Sequence, residues 1–267
     1  MENKQQVTVI GGGLAGCEAA WQLAQAGYAV FLYEMKPEQY TPAHHYTGLA
    51  ELVCSNSLKA DRLASAAGLL KAEMERLGSL LIPCARATAV AAGGALAVDR
   101  HRFSDLVTEH IQNHPNITII QERVTALPKR CAVIATGPLT DGALAEDLER
   151  QCGKRLSFFD AAAPIVSYES LDPEKIFFAA RYDRGDADYI NCPMDQETYT
   201  AFYQALIAAE RAPLHDCDKE FFRVYEGCMP IEVLASRGED TMRFGPLKPV
   251  GLRDPKTGHR PYAVVQL

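Results

Sequence analysis

The chain has 267 residues, 48% of them hydrophobic, and a formal net charge of −7 at pH 7. This length and apolar content suffice for a sizeable core in one large domain or two smaller ones. No apolar run is long enough to span a bilayer and the first residues are polar, which argues against a signal peptide or membrane anchor and favours a cytoplasmic protein. The acidic balance argues against a generally basic nucleic-acid binder, although a local cluster of Lys and Arg could still hold a polyanion.

The cysteines contain no Cys-x-x-Cys pair, which argues against a zinc site and a disulfide framework and predicts free thiols. We therefore expect no metal site. The eight cysteines are Cys17, Cys54, Cys84, Cys131, Cys152, Cys192, Cys217 and Cys228.

An apolar β-type run near the start of the chain breaks into Gly-x-Gly-x-x-Gly and continues at helical spacing, the pattern of a dinucleotide site. Gly11 permits a tight turn, Gly13 lets the backbone approach a pyrophosphate, and Gly16 lets helix and strand pack closely. The helix N-terminus offers unpaired N–H groups to the phosphates. The predicted cofactor-binding residues of this turn are Gly11, Gly12, Gly13, Leu14, Ala15 and Gly16.

The next segment completes a βαβ pattern. Gly27 is a plausible C-cap of the helix, and residues 29–33 form a second predicted strand. This strand ends at Glu34, whose place roughly 20 residues after the glycines suits a carboxylate that binds a ribose hydroxyl. Strand, glycines, helix, strand and acid in this order favour a nucleotide site over an ordinary βαβ unit.

The middle of the chain alternates between irregular and periodic segments. Residues 35–56 are too irregular for a regular element and too long for a plain connection, and long loops are often functional. Apolar residues at helical spacing predict a helix with a buried stripe over residues 58–81, capped by Asn56 or Ser57. Further along we predict a hairpin at 87–98 with a Gly93-Gly94 turn, a helix at 99–113, and short strands at 117–120 and 124–127.

Residues 130–138 predict a buried strand that closes on a tight turn of small residues. In flavoproteins with two dinucleotide-binding domains, a strand ending in Ala-Thr-Gly lies beside the cofactor, because only small residues fit there. Thr136 and Gly137 are therefore predicted cofactor-binding residues. Together with the glycine turn, they favour FAD over NAD.

Aromatic residues become frequent from about Gln151, which predicts a second, substrate-side domain. We expect an FAD-binding domain at residues 1–150, an inserted substrate domain at 151–240, and a return toward the FAD domain at 241–267. The final run 262–267 is strand-like. Because termini are usually solvated, ending on an apolar strand predicts a truncated chain.

Several longer strings are more specific than the glycine turn. Together they resemble the TrmFO family, the folate- and FAD-dependent tRNA (uracil-5-)-methyltransferases, over essentially the whole chain. The related GidA or MnmG flavoproteins share the fold and the FAD fingerprint, but the Cys54 and Cys228 strings favour the methyltransferase. The strings are Tyr33-Glu34-Met35-Lys36-Pro37, Thr41-Pro42-Ala43-His44-His45, Glu51-Leu52-Val53-Cys54-Ser55-Asn56-Ser57, Gly68-Leu69-Leu70-Lys71-Ala72-Glu73-Met74, Glu226-Gly227-Cys228-Met229-Pro230-Ile231-Glu232 and Arg260-Pro261-Tyr262-Ala263-Val264-Val265-Gln266-Leu267.

The resemblance implies an α/β fold: a Rossmann-like, GidA- and glutathione-reductase-like FAD-binding domain with an inserted smaller α+β domain. It implies that 5,10-methylenetetrahydrofolate gives a one-carbon unit to C5 of the T-loop uridine of tRNA. Reduced FAD supplies the reducing equivalents, and NADH or NADPH recharges it. The resemblance also implies that family members continue well beyond residue 267, with a further glycine-containing helix start near the flavin.

Two cysteines carry the implied chemistry. Uracil C5 is a weak nucleophile, so such chemistry needs a thiolate that adds at C6. The family pattern assigns this nucleophile to Cys228, whose alternative is a small buried hydrophobe. Cys54, just before a predicted helix, is implied as a second functional cysteine near the flavin, against the alternative of core packing. The remaining cysteines are expected to pack.

Other residues could also bind ligands or transfer protons, but each has a simpler structural explanation. His44 and His45 suit a phosphate or the folate glutamate, although loop histidines without a role are commoner. Glu226 and Glu232 flank Cys228 and suit folate orientation or proton transfer, or are simply solvated. Two groups of lysines and arginines, which we call the two basic series, could contact tRNA phosphates, although a solvent-exposed helix face accounts for the first series equally well. The first series is Lys59, Arg62, Lys71 and Arg76; the second is Arg237, Arg243, Lys248, Arg253, Lys256, His259 and Arg260.

Three other functions stay open from the sequence. A related flavoprotein acting on ribosomal RNA shares nearly every motif. A plain NAD(P)H oxidase or disulfide reductase needs a redox cysteine pair, and none is spaced for it. A non-catalytic RNA-binding protein keeps the basic face but tolerates loss of Cys228.

Overall fold

A computed structural model describes residues 5–53, 55–153, 166–183, 186–210 and 229–267. The chain divides into two compact units. The first contains Met1–Val90 and Ala95–Phe158, and the second contains Ala91–Gly94 and Phe159–Leu267. No helix in the described part of the chain is both long and apolar enough to cross a bilayer.

The first unit is built on a parallel four-stranded sheet in the order β6-β2-β1-β7. Its strands are β1 (Gln6–Ile10), β2 (Ala29–Glu34), β6 (Ile117–Gln121) and β7 (Ala132–Ile134). Helices α1 (Leu14–Gln25) and α4 (Arg100–Asn113) connect and cover it. Apolar side chains of these elements form one core, with Val9, Leu32 and Phe103 fully buried. The predicted Rossmann-like α/β fold is thereby confirmed.

A smaller antiparallel sheet in the order β3-β5-β4 accompanies it. Strands β4 (Ala89–Val90) and β5 (Ala95–Val98) form the predicted hairpin, and β3 (Ser57–Ala60) pairs with β5. Helices α2 (Ala66–Arg76), α3 (Leu81–Ala87) and α5 (Gly142–Cys152) complete the unit.

The predicted single helix at residues 58–81 is wrong. Its first residues pair as β3, and the helix that follows is capped by Ser65, whose Oγ accepts from the N–H of Gly68 at 3.1 Å. The predicted buried stripe is also wrong, because the buried residues of α2 are Gly68 and Lys71. Two tertiary contacts explain why the helical periodicity fails here. Residues 57–60 pair as a strand, and the turn at Arg62 packs so closely on Gly68 that a Cβ there would meet the Arg62 carbonyl. The exposed residues are Leu63, Leu69, Leu70 and Leu77.

Two other predictions have opposite outcomes. The helix at 99–113 is confirmed as α4, with the Asp99 side chain capping the N–H groups of His101 and Arg102. The strand at 124–127 is wrong, since these residues are irregular and the N–H of Leu127 donates to Asp147 instead of to a neighbouring strand.

The second unit contains an antiparallel sheet in the order β10-β9-β8. Its strands are β8 (Phe177–Phe178), β9 (Ile190–Met194) and β10 (Ala263–Gln266). The helices among its described residues are α6 (Gln196–Ala208), α7 (Ile231–Ser236) and α8 (Glu239–Phe244), and three short 3-10 turns lie between Tyr168 and Asp183. Residues 241–267, which we expected to return toward the first domain, belong to this second unit, because β10 pairs with β9.

Candidate functional site

The glycine turn lies at the carboxyl end of β1, where close packing leaves no room for side chains. Gly11 has φ +99°, and a Cβ there would lie 2.5 Å from the carbonyl oxygen of Ala135. A Cβ on Gly16 would lie 1.8 Å from the carbonyl oxygen of Gly11. Two of the predicted glycine roles, the tight turn and the close packing of helix on strand, are thereby met by the geometry.

Gly13 differs from Gly11 and Gly16 because the space on its Cβ side is open. A Cβ built on it meets no atom within 4 Å. It is also the N-cap of α1, and no side chain caps this helix. Within the described residues, the N–H groups of Leu14, Ala15 and Gly16 have no backbone acceptor. Open space thus adjoins unpaired donors at the positive end of a helix, an arrangement that suits an anion.

Glu34 ends β2 directly beside this turn. Its Oε2 accepts from the N–H of Gly12 at 2.7 Å, and its Oε1 accepts from the N–H of Lys36 at 3.0 Å. A carboxylate has about four acceptor positions, so both oxygens retain capacity for a ribose hydroxyl. A Cβ on Gly12 would lie 2.6 Å from Leu49 Cδ2 and 2.8 Å from Glu34 Oε2, so a larger residue here would displace both side chains.

The turn after β7 completes the site. The N–H of Ala135 donates to Ile10 at 2.7 Å, which brings residue 136 against Gly11. Thr136 and Thr140 share a hydroxyl hydrogen bond of 2.6 Å, and Gly137 has φ +76° with open space on its Cβ side. The structure therefore brings all the predicted cofactor-binding residues together at the carboxyl ends of β1, β2 and β7. The strand order changes direction between β1 and β7, where nucleotides bind in this fold class.

A buried ion pair near the glycine turn was missed by the sequence analysis. The Nζ of Lys36 lies 3.2 Å from Glu51 Oε2 and also donates to the carbonyls of Tyr46 and Gly48. Glu51 Oε1 accepts from the N–H groups of His45 and Tyr46. Burial raises the pKa of Glu51, but these N–H groups and Lys36 outweigh it and lower that pKa overall. The only sequence signal is a lysine and a glutamate at opposite ends of a long loop.

The same loop is attached to the glycine turn and to α4. The N–H of Ala50 donates to the carbonyl of Gly12 at 2.8 Å, and Ala50 itself has φ +51°. From α4, the Ser104 hydroxyl donates to the carbonyl of Leu49 at 2.5 Å, and the Thr108 hydroxyl accepts from the N–H of Leu49 at 2.8 Å. Residues 49 and 50 of this loop are therefore hydrogen-bonded to both the glycine turn and α4.

The two predicted catalytic cysteines, Cys54 and Cys228, lie outside the described residues, as does Glu226. Their roles stay predictions. Cys17 and Cys84 are buried, as expected for packing, but the same prediction is wrong for Cys131 and Cys152, which are exposed. Burial and the nearby Glu34 carboxylate raise the pKa of Cys17 to about 12, so this thiol stays protonated.

The two loop histidines differ in their surroundings. His44 Nδ1 lies 2.5 Å from the Thr41 hydroxyl, and burial lowers the pKa of this imidazole. His45 is exposed and contributes its backbone N–H to Glu51. Among the residues that the structure describes, no group of three His, Cys, Asp or Glu side chains is placed to hold a metal ion.

The two basic series have different outcomes. The first does not lie along one helix: Lys59 belongs to β3, Arg62 to the following turn, and Lys71 is buried with its Nζ donating to Ala60 and Ala67. In the second series, six side chains lie on the surface of the second unit, Arg237 and five others nearer the end of the chain. These five are Lys248, Arg253, Lys256, His259 and Arg260.

The chain was compared with known proteins. The family model described as glucose inhibited division protein A matches residues 6–267. A methylenetetrahydrofolate–tRNA-(uracil-5-)-methyltransferase TrmFO of Shouchella clausii is 59% identical over 268 residues, covering 100% of this chain and 61% of that protein. The protein of the same name from Geobacter sulfurreducens is 58% identical, covering 98% and 60%. The resemblance to TrmFO is thereby confirmed.

The chain spans about three fifths of the length of these curated relatives, 61% for the first. Among solved structures, Aquifex aeolicus GidA matches with a TM-score of 0.39 and 21% identity, covering 48% of this chain and 21% of that one.

Proposed function

The chain belongs to the family of glucose inhibited division protein A, and from this premise we propose that it acts in folate-dependent methylation of tRNA. The reaction transfers the one-carbon unit of 5,10-methylenetetrahydrofolate to C5 of the T-loop uridine, in the cytoplasm, with the T-arm of tRNA as partner. The observation that carries the proposal is the 59% identity to a TrmFO protein across this whole chain.

The residues of the first unit fit FAD. The open side of Gly13 and the free N–H groups of the first turn of α1 suit a pyrophosphate, and Glu34 suits the adenosine ribose. Thr136 and Gly137 would lie beside the cofactor. When bound and reduced by NADH or NADPH, FAD supplies the electrons that convert the methylene carbon into a methyl group.

We assign the covalent step to Cys228. Its thiolate forms a bond to uracil C6, and the electron pair of the C5–C6 double bond makes C5 nucleophilic toward the one-carbon unit. Cys54, as thiolate, then takes the proton from C5 and later releases it to solvent, and the bond from the one-carbon unit to the folate nitrogen breaks with its electron pair going to that nitrogen, which takes up a proton. With a hydride equivalent delivered to the methylene carbon, as a bound reduced flavin would supply, the C5–C6 double bond forms again and the Cys228 sulfur leaves as thiolate. Both cysteines therefore end the reaction as they began, and the uridine, the folate one-carbon unit and the reductant are consumed.

Absorbance of the purified chain tests the cofactor. Flavin bands that bleach with NADH or NADPH are expected, and a chain without flavin after incubation with excess FAD would contradict the proposed cofactor. Methyl transfer to an unmodified tRNA transcript tests the substrate, with a ribosomal RNA fragment as comparison. Preference for the ribosomal fragment would assign the related rRNA reaction instead.

Substitution of cysteines tests the nucleophile. Cys228→Ala is expected to abolish methyl transfer while leaving flavin absorbance unchanged. Cys131→Ala, which removes an exposed thiol of the first unit, is the matched control and should retain activity. Unchanged methylation by Cys228→Ala would remove Cys228 from the mechanism.

A further inference from the structure

Residues 243–260, which we call the basic segment, carry a net positive charge although the chain as a whole is negative. The segment contains five lysines and arginines and one acidic residue, in a chain with a formal net charge of −7. Four of the five cations are exposed, namely Lys248, Arg253, Lys256 and Arg260. A cluster of this kind is the electrostatic footprint of a polyanion site.

Most of this charge is not neutralised by other residues that the structure describes. Arg243 pairs with Asp240 at 3.0 Å, and Lys256 lies 3.8 Å from a carboxylate oxygen of Glu174. Lys248, Arg253 and Arg260 form no ion pair with any other residue in the described ranges. Exposed cations without partners carry counterions, whose release on phosphate binding favours association.

Aromatic rings flank these cations. The Arg243 guanidinium lies 4.3 Å from the ring centre of Phe244 and 4.5 Å from that of Tyr262, and Phe244 is 69% exposed. A ring supported on one side by a guanidinium and open to solvent on the other is a stacking surface for a nucleobase.

A second exposed ring comes from the turn at residues 181–183, which packs against the middle of the basic segment. Tyr182 is 59% exposed, has φ +60°, and packs against Gly251, whose carbonyl accepts from the Tyr182 N–H at 2.7 Å. The neighbouring Arg181 donates to the carbonyls of Lys248 and Val250. A bulky residue at positive φ is strained, and such strain is retained where the position of the side chain matters.

We propose that the basic segment, together with Phe244 and Tyr182, binds RNA. Lys248, Arg253 and Arg260 contact phosphates, and the two rings stack on unpaired bases. The proposal rests on the proposed function, since the RNA there is the substrate tRNA, and it locates that partner on the second unit. Residues 245–262 contain no helix, so the amphipathic helix with which proteins bind a membrane surface is not present in this stretch.

The first test compares two triple variants that remove the same number of charges. Lys248→Gln, Arg253→Gln and Arg260→Gln change the basic segment; Lys59→Gln, Arg62→Gln and Arg76→Gln change exposed cations of the first unit. Binding of an unmodified tRNA transcript is measured by fluorescence anisotropy between about 50 and 200 mM salt. We expect the first triple variant to lose affinity about tenfold or more and its salt slope to fall by about 2 to 3, with the control changed less than about twofold.

The second test concerns the rings. Phe244→Ala and Tyr182→Ala are each expected to weaken tRNA binding about tenfold without changing the salt slope. Phe178→Ala, which removes another exposed ring of the same unit, should leave affinity unchanged. Circular dichroism melting of every variant ensures that the comparison is between folded proteins.

The outcomes separate this surface from the proposed function. Equal affinity and salt slope in both triple variants would overturn the surface, while tRNA binding by the unaltered chain would leave the proposed function standing. An unaltered chain that binds no tRNA at about 50 mM salt would overturn both. If the first triple variant lost binding only to phosphatidylglycerol vesicles, the segment would be a membrane contact and the RNA proposal would be wrong.

Discussion

The Lys36 ammonium and the Glu51 carboxylate form an ion pair of 3.2 Å in which the two side chains are 5% and 10% exposed. Lys36 follows β2, and Glu51 lies near the far end of the loop that begins there. The pair therefore closes this loop beside the glycine turn, to which Ala50 is also hydrogen-bonded.

Lys36→Met should destabilise the protein by about 3 kcal/mol, because it leaves the Glu51 carboxylate buried without its cation. Lys36→Met combined with Glu51→Gln should cost less than the sum of the single changes, since no unpaired charge remains. Urea unfolding measures both. Lys129→Met, at an exposed position of the same unit, should change the free energy of unfolding by less than about 0.5 kcal/mol.

The same pair predicts a pH dependence. Although burial alone raises it, the pKa of Glu51 is lowered overall in the folded protein, so its contribution to stability is present above the ordinary value of about 4.3. The contribution is lost as the pH falls through the lower, folded value. The stability difference between the unaltered chain and Glu51→Gln should therefore shrink from about pH 7 to about pH 3, in urea unfolding at each pH. A difference independent of pH would contradict the lowered pKa.

Replacement by alanine should destabilise the protein more at one glycine of this turn than at another. Gly16→Ala forces a methyl group to within 1.8 Å of the Gly11 carbonyl and should cost about 2 kcal/mol of stability. Gly13→Ala points into open space at an ordinary φ of −74° and should cost less than about 1 kcal/mol.

The FAD affinity of Gly13→Ala completes the prediction. The methyl group of Gly13→Ala occupies the space into which a pyrophosphate would enter, so its FAD affinity should fall about tenfold or more, measured by flavin fluorescence. Undiminished FAD binding by Gly13→Ala would show that the open side of this residue does not face the cofactor.

The cysteines should differ in reactivity. Burial raises the pKa of Cys17 to about 12 and that of Cys84 to about 11, so both remain thiols near neutrality. Cys131 and Cys152 are exposed. Iodoacetamide at about pH 8 should modify Cys131 and Cys152 in the folded chain, but Cys17 and Cys84 only in denaturant, as read by peptide mass spectrometry. Equal rates for Cys17 and Cys131 would contradict the buried position of Cys17.

The sequence by itself determined the βαβ unit from Gln6 to Glu34, the hairpin at residues 87–98 and the helix capped by Asp99. These features depend on short-range rules: strand and helix periodicity, the special geometry of glycine, and caps within one turn of the helix they stabilise. For the same reason, the cofactor-binding residues of the glycine turn could be predicted individually.

Only the tertiary structure decided which residues of the segment 58–81 are buried, because pairing of β3 with β5 is a contact between distant parts of the chain. It likewise decided that Lys71 is buried, so the first basic series is not a continuous surface. The Lys36–Glu51 pair has no local signal either. Burial, ion pairing and loop closure depend on which residues from distant parts of the chain come together in the low-dielectric interior. The periodicity of a single segment carries no information about these partners.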